Sequence, residues 1–253
     1  MRSKFLALTG LLLLVPGAVL AVGPLDLSAE VGCYGHYLWR GITLTNGAVV
    51  QPEVSAEVAG FGLNLWGNLN ADDPSGDSGF NEYDVTVSYG LGLPVASLNL
   101  GVIYYALPDA SEQNTAEAFA SASANLLLAP TLSVYRDVDQ VDGWYWEAGL
   151  SHGVVLSPGA SLDLSARAGL GSERYMAGYF PVGAAKALTD QATSSSLTDY
   201  SFTAALPWHP APMATITPSL SWCSLLNDAS DAVDAGGGDT GTLVWGVSAS
   251  VGF

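Results

Sequence analysis

Thr242-Leu243-Val244-Trp245-Gly246-Val247-Ser248-Ala249-Ser250-Val251-Gly252-Phe253 is the stretch whose reading decides the fold. Leu243, Trp245, Val247, Ala249, Val251 and Phe253 share one parity, and Thr242, Ser248, Ser250 and Gly252 share the other. Successive side chains of a strand point to opposite faces, so this segment is a strand with one apolar and one largely polar face.

The same pattern recurs upstream. Leu25, Leu27, Ala29, Val31 and Cys33 interleave with Asp26, Ser28, Glu30 and Gly32; Val50, Pro52, Val54, Ala56 and Val58 with Gln51, Glu53, Ser55 and Glu57. Tyr83, Val85, Val87 and Tyr89 alternate with Asp84, Thr86 and Ser88, and Leu162, Leu164, Ala166 and Ala168 with Asp163, Ser165 and Arg167. Twelve such segments are legible, near 25–40, 48–59, 61–70, 80–90, 96–106, 115–126, 131–138, 143–155, 160–171, 197–206, 213–223 and 242–253. Most have the roughly 9–11 residues that a tilted strand needs to cross a bilayer. Their connections alternate in length. Ala59-Gly60, Leu91 to Pro94, Leu127 to Pro130, Ser157 to Gly159 and Pro207 to Pro212 are tight, whereas Ala71 to Asp77, Ser172 to Ser196 and Asn227 to Gly241 are long. Short turns at one end and long loops at the other are the pattern of an up-and-down transmembrane barrel. A soluble sandwich would alternate too, but would not sort its connections by length.

Composition supports lipid as the solvent. The chain is 49% hydrophobic and 12% charged, against about 25% charged in soluble domains, with a mean hydropathy of +0.31. Beyond the first residues no stretch has the ~20 apolar residues of a spanning helix, and only helices and closed barrels satisfy their backbone groups in a bilayer. Arg2 and Lys4, the apolar run Phe5 to Val15, Pro16-Gly17 and Val19-Leu20-Ala21 have the order of a secretory signal peptide. The expected organisation is therefore a signal peptide over 1–21 and a single barrel domain over 22–253. Losing Arg2 and Lys4 with the leader takes the formal charge from −17 to −19. Nucleic acid is not an expected partner, since phosphate binding requires a basic surface.

Parity assigns the faces: apolar to lipid, polar to the lumen. The lumen then carries Glu30, Glu53, Glu57, Glu82, Asp84, Glu117, Glu147 and Asp163, with Asp26 and Asp199, against Arg40 and Arg167 as its main cations. Such a lining favours cations. Tyr37, Trp39, Trp144, Trp146, Trp222, Trp245 and Phe253 take the lipid parity or lie near strand ends, and are expected as interface aromatics. Trp66, Tyr105, Phe119 and Tyr145 are candidates to narrow the lumen. Pro52 and Pro218 lie inside proposed strands, which predicts local bulges or displaced boundaries. Arg136 takes the lipid parity near a strand end, where it can snorkel.

No catalytic residues are assigned. The sequence has no Gly-x-Ser-x-Gly elbow, and of His36, His152 and His209 only His36 has lumen parity. No metal site or cofactor is expected: Asp72, Asp73 and Asp77, or Asp228, Asp231, Asp234 and Asp239, do not have the spacing of a calcium loop, and read as solvated, flexible acidic loops. Cys33 has lipid parity and Cys223 lumen parity, on strands separated by a third, so a disulfide between them is not expected.

The run Tyr37-Leu38-Trp39-Arg40-Gly41-Ile42-Thr43, followed by Gln51-Pro52 and Leu65-Trp66-Gly67-Asn68, resembles the Gcw_chp family of proteobacterial outer-membrane proteins, whose members tend to read Tyr-x-Phe-Arg-Gly-Ile-Ser there. Trp39 stands where Phe is usual. The resemblance implies a barrel of porin type in the outer membrane of a Gram-negative cell. Gly252-Phe253 also resembles the C-terminal signal that the barrel-assembly machinery reads. The expected function is passive diffusion of small cationic or neutral solutes, with membrane lipid, the assembly machinery and the solutes as partners. The alternative is a closed barrel that acts on a surface partner through its long acidic loops. Parity places Arg40 in the lumen, paired with a carboxylate and shaping the pore mouth.

Overall fold

The computed structural model describes residues 24–72, 79–108, 114–180 and 195–253. The elements are β1 (Asp26–Tyr34), β2 (Tyr37–Trp39), β3 (Ile42–Thr45), β4 (Ala48–Val58), β5 (Phe61–Asp72), β6 (Gly79–Gly92), β7 (Ala96–Ala106), β8 (Thr115–Ala124), β9 (Thr131–Asp137), β10 (Trp144–Ser157), β11 (Ala160–Gly171), α1 (Glu173–Tyr179), β12 (Ser196–Ala205), β13 (Trp208–Ala211), β14 (Ala214–Leu225), α2 (Asn227–Ala235) and β15 (Gly241–Gly252). Twelve of the strands close an antiparallel barrel in the order β1-β4-β5-β6-β7-β8-β9-β10-β11-β12-β14-β15. Pairing of β1 with β15, from Ser28 opposite Gly252 to Tyr34 opposite Gly246, shuts the ring. Closure leaves no unpaired edge, which the hydrocarbon of a bilayer requires. Among the described residues no helix is long and apolar enough to cross a membrane.

The alternation has the faces expected of it. On β6, Tyr83, Val85, Val87, Tyr89 and Leu91 are exposed on the outside, while Glu82 on the opposite parity is buried. Leu243, Trp245, Val247 and Val251 of β15 are likewise exposed and Val244 is buried inside. Outward aromatics gather at the two ends of the wall. Phe80, Tyr83, Tyr104, Trp144, Trp222 and Trp245 lie toward the end with the long connections, here the loop end; Phe61, Tyr89, Trp208 and Phe253 lie toward the turn end. Two interface girdles are expected of such a wall. Ala59 and Gly60 (φ 51° and 85°) make the tight turn between β4 and β5, the left-handed pair that suits strand twist.

Three expectations are corrected. Segment 25–40 is not one strand: β1 ends at Tyr34, and Tyr37 to Thr45 folds back as a separate two-stranded hairpin inside the barrel. The prolines cause no bulge. Pro52 pairs with Val31 in an unbroken β1–β4 register, although the ladder to β5 skips Gln51 and Pro52. Pro218 pairs with Val247, and the β12 ladder stops at Ser219 just before it. A proline with its missing donor on a skipped or finished ladder costs no hydrogen bond. Third, the acidic run after Asn227 forms α2 with Ala229 buried, so Asp228, Asp231 and Asp234 are carried on a helix rather than a flexible loop. Ser172 caps α1 by accepting from the Tyr175 amide. The signal-peptide residues, Asp73 and Asp77 lie outside the described residues.

Candidate functional site: the lumen and its hairpin

The hairpin β2–β3 turns on Arg40 and Gly41, at φ 47° and 83°. Both central residues are left-handed, as a two-residue hairpin turn demands. Glycine adopts that conformation freely, whereas an arginine there is strained, a state that persists only where surrounding contacts impose it. Those contacts come from across the lumen. The Arg40 guanidinium donates from Nη1 to Glu117 Oε1 at 2.8 Å and from Nη2 to Oε2 at 2.7 Å, and the Tyr105 hydroxyl donates to the same Oε2 at 2.9 Å. Glu117 lies on β8, so the pair spans 77 positions of sequence. The side chains of Arg40 and Glu117 are 9% and 1% exposed. Four rings surround the guanidinium: Trp39, Tyr135, Tyr145 and Tyr175, with centroids 4.5, 4.4, 4.3 and 5.8 Å away. Ring faces attract a cation, the more so when water is excluded.

Electrostatics favour the charged form of this arginine. Burial works against the charge, but the Glu117 carboxylate paired with it holds the pKa above the ordinary arginine value. Burial pushes the Tyr175 and Tyr179 hydroxyls up, so their rings stay neutral beside it. A charge paired with a carboxylate is the form in which an arginine tolerates a buried site.

The rest of the hairpin is tied to other walls. Thr45 donates to Asn70 on β5 at 2.8 Å, and Asn68 donates to Asn70 and Asn81 and accepts from Gln51 on β4. Tyr37 packs on Trp66 at 5.5 Å, and Gly41 sits against Leu225 and Asp199. From the loop end, α1 and α2 press down: Tyr145, Tyr175, Met176, Phe180, Leu225 and Ala229 form one buried cluster, with Trp39 and Ile42 of the hairpin packed on it. Tyr37 and Trp39 are therefore not interface aromatics. Tyr37 and Trp39 keep the parity of Val31 and Cys33, but the chain turns inward at Gly35 and carries both rings into the plug.

The other expected residues fall as follows. Glu30, Glu53, Glu57, Glu82, Asp84, Glu117, Glu147, Asp163 and Arg167 all lie on the inward parity of wall strands. Glu53 accepts from Asn64 at 2.6 Å, and Asp163 from Ser161 at 3.0 Å. Arg40 pairs with Glu117 across the barrel, not with a carboxylate of the neighbouring strand. Trp144 and Trp146 stack on the outer wall at 6.1 Å; Trp222, Trp245 and Phe253 are exposed outside. Arg136, also outward, pairs with Asp142, which Arg174 reaches too, and lies 4.8 Å from the Trp144 ring. Cys33 is exposed outside and Cys223 buried inside, with β15 between their strands.

Sequence reading missed Asp199 as a structural centre. It accepts from the Tyr145 hydroxyl at 3.1 Å and from Thr198 at 2.6 Å. A register shift opposite Gly169 and Leu170 buries Thr198 and Asp199 together, and no periodicity signals a bulge. Two cavities adjoin below the hairpin and share Thr203. One of about 220 Å³ is bounded by the hairpin and the β10–β12 wall; one of about 400 Å³ lies toward the turn end, beside Ser151 and Asp163.

A family model described as "Bacterial protein of unknown function (Gcw_chp)" matches residues 18–176. Two solved structures share the fold: a KdgM porin in complex with disordered oligogalacturonate, 12% identical, TM-score 0.53, covering 90% of this chain and 99% of that one; and the NanC porin, 11% identical, TM-score 0.51, with the same coverages. No curated protein matches the chain in sequence. With its apolar outer belt, the porin-type barrel is a bacterial outer-membrane protein.

Proposed function

This chain belongs to the Gcw_chp family of bacterial proteins, and we propose that its barrel is a porin-like channel for small solutes, narrowed by the hairpin and weakly selective for cations or neutral molecules. The observation that carries this reading is the inward parity of the wall: carboxylates recur on it from Glu30 to Asp199, and only Arg40 and Arg167 oppose them among the described lumen residues. Since Glu117 neutralises Arg40, the field left in the lumen is acidic. That lining suits cationic or neutral solutes and opposes an acidic oligosaccharide such as the one in the KdgM complex. In planar bilayers under a salt gradient, the purified protein is expected to conduct with a reversal potential on the cation side. Silent bilayers with protein shown to be inserted would refute the channel.

The filled loop end favours a second reading, a closed barrel whose surface is the functional part. Deleting 227–241 would then abolish surface binding while the barrel still folds. Phe253, exposed at the end of β15, is the residue we assign to recognition by the assembly machinery; removing it should lower the inserted yield and leave the properties of the inserted molecules unchanged.

A further inference from the structure

The two lumen arginines differ in what they have left to bind. Arg40 is saturated. Arg167 is 55% exposed and reaches Glu147 only at 3.5 Å and Ser201 at 3.3 Å, both at the long end for hydrogen bonds. Its fork faces the cavity of about 220 Å³ under the hairpin. Two carboxylates bound the same cavity. Glu147 and Asp199 flank Gly169 in one cross-strand row, and Arg167 lies between Gly149 and Ser201 in the row two residues nearer the turn end. The rows stand roughly 7 Å apart along the strands. His36, at the entrance to the hairpin, also lines the cavity, and its buried Nδ1 has no hydrogen-bond partner among the described residues. A buried polar atom left unpaired asks for a water or a ligand.

We propose that this cavity is a subsite for a small zwitterion, a molecule of amino-acid size with one carboxylate and one ammonium group. Arg167 takes the carboxylate, for which its planar fork is matched. Glu147 and Asp199 take the ammonium, and His36 and Ser201 supply further hydrogen bonds. A simple anion would meet two carboxylates beside the one exposed arginine, and a simple cation would leave the arginine fork unused. At about 220 Å³ the cavity lies below the roughly 300 Å³ at which drug-sized pockets begin, so the occupant of this part of the lumen is small. The proposal rests on the lumen reading above and names the solute class that this part of it holds.

The test uses the intact barrel, folded in detergent for calorimetry and inserted in planar bilayers for current. L-Alanine is the probe, with propionate and isopropylammonium as single-charge controls of similar size. Saturable L-alanine binding is expected, at least fivefold tighter than either control. Arg167→Gln should weaken it tenfold or more, Arg167→Lys less, and Ser201→Ala a few-fold, each variant checked for heat-modifiable folding. Propionate binding as tight as that of L-alanine, or an Arg167→Gln variant that binds L-alanine unchanged, would overturn the proposal. Should Arg167→Gln not fold, unchanged binding by Ser201→Ala would overturn it instead. Conductance without saturable binding sinks the subsite and spares the channel. Saturable binding with silent bilayers does the reverse.

Discussion

At the loop end of the barrel the lumen is a packed core; at the turn end it is a lined space, although the same twelve strands make both. Glu117 and Glu57 each sit on the inward parity of a wall strand. Glu117 is buried beneath Arg40, and Glu57 is exposed. The largest fully buried side chains, among them Tyr145, Tyr175, Phe180, Met176, Val49, Asn68 and Thr198, all belong to the loop-end half. Asp26, Asn99, Ser151 and Asp163 point into the turn-end half and stay exposed. The wall's alternation makes a polar lumen everywhere; whether that lumen is filled depends on segments folded into it from the loops.

The strongest way to break this contrast is to cut the latch. Arg40→Ala leaves Glu117 buried without its partner, which typically costs about 3–5 kcal/mol. Urea unfolding should show that loss, and single-channel conductance should rise several-fold as the hairpin loosens. Equal conductance in variant and parent would mean that the hairpin does not obstruct the path.

Gly41→Val tests the same half by a different route. A Cβ there would stand 2.6 Å from Leu225 Cδ2 and 2.7 Å from Asp199 Cβ, on a backbone at φ 83°. The strain is of order 1–3 kcal/mol, so the midpoint of unfolding should fall, with a smaller gain in conductance than for Arg40→Ala. At the turn end the opposite is expected. Asp163→Asn or Glu57→Gln removes an exposed charge and should change stability by no more than about 0.5 kcal/mol, yet move the reversal potential toward zero. A stability loss like that of Arg40→Ala would erase the distinction between the halves.

The finest probe uses the cysteines. Cys223 is buried beside the hairpin and Cys33 exposed on the outer face. A water-soluble thiol reagent should label Cys223 slowly in the parent and faster in Arg40→Ala, read by mass spectrometry, with Cys33 shielded in both by lipid or detergent.

Much of the wall was legible in the residues. Tyr83 to Tyr89 and Leu243 to Phe253 show their outward face without reference to anything distant, because the period of two and the demand for a lipid-compatible surface act within one strand. The plug was not. Tyr37 and Trp39 continue the parity of Val31 and Cys33, so nothing local marks the chain's departure at Gly35. The run that carries the family resemblance, Tyr37 to Thr43, is the hairpin itself, read as a strand end although Arg40-Gly41 holds the two-residue turn. Arg-Gly lacks the Asn-Gly or Asp-Gly signature of that turn, so the arginine's left-handed conformation is visible only with its cage. Parity put Asp199 in the lumen, but its place under the hairpin escaped for a related reason: the bulge at Thr198 that buries the two together leaves no periodic signal.

By itself, then, the sequence determined a closed antiparallel barrel with an apolar exterior and a polar interior, since periodicity and the absence of water in a bilayer leave one way to satisfy those strands. Only the tertiary structure decided what occupies the interior. Arg40 finds Glu117 across 77 positions, and the rings of Tyr135, Tyr145 and Tyr175 converge on it from two wall strands and a helix. Such contacts are set by closure of the ring, which brings distant strands to face one another, and no local pattern encodes which inward side chain will meet which.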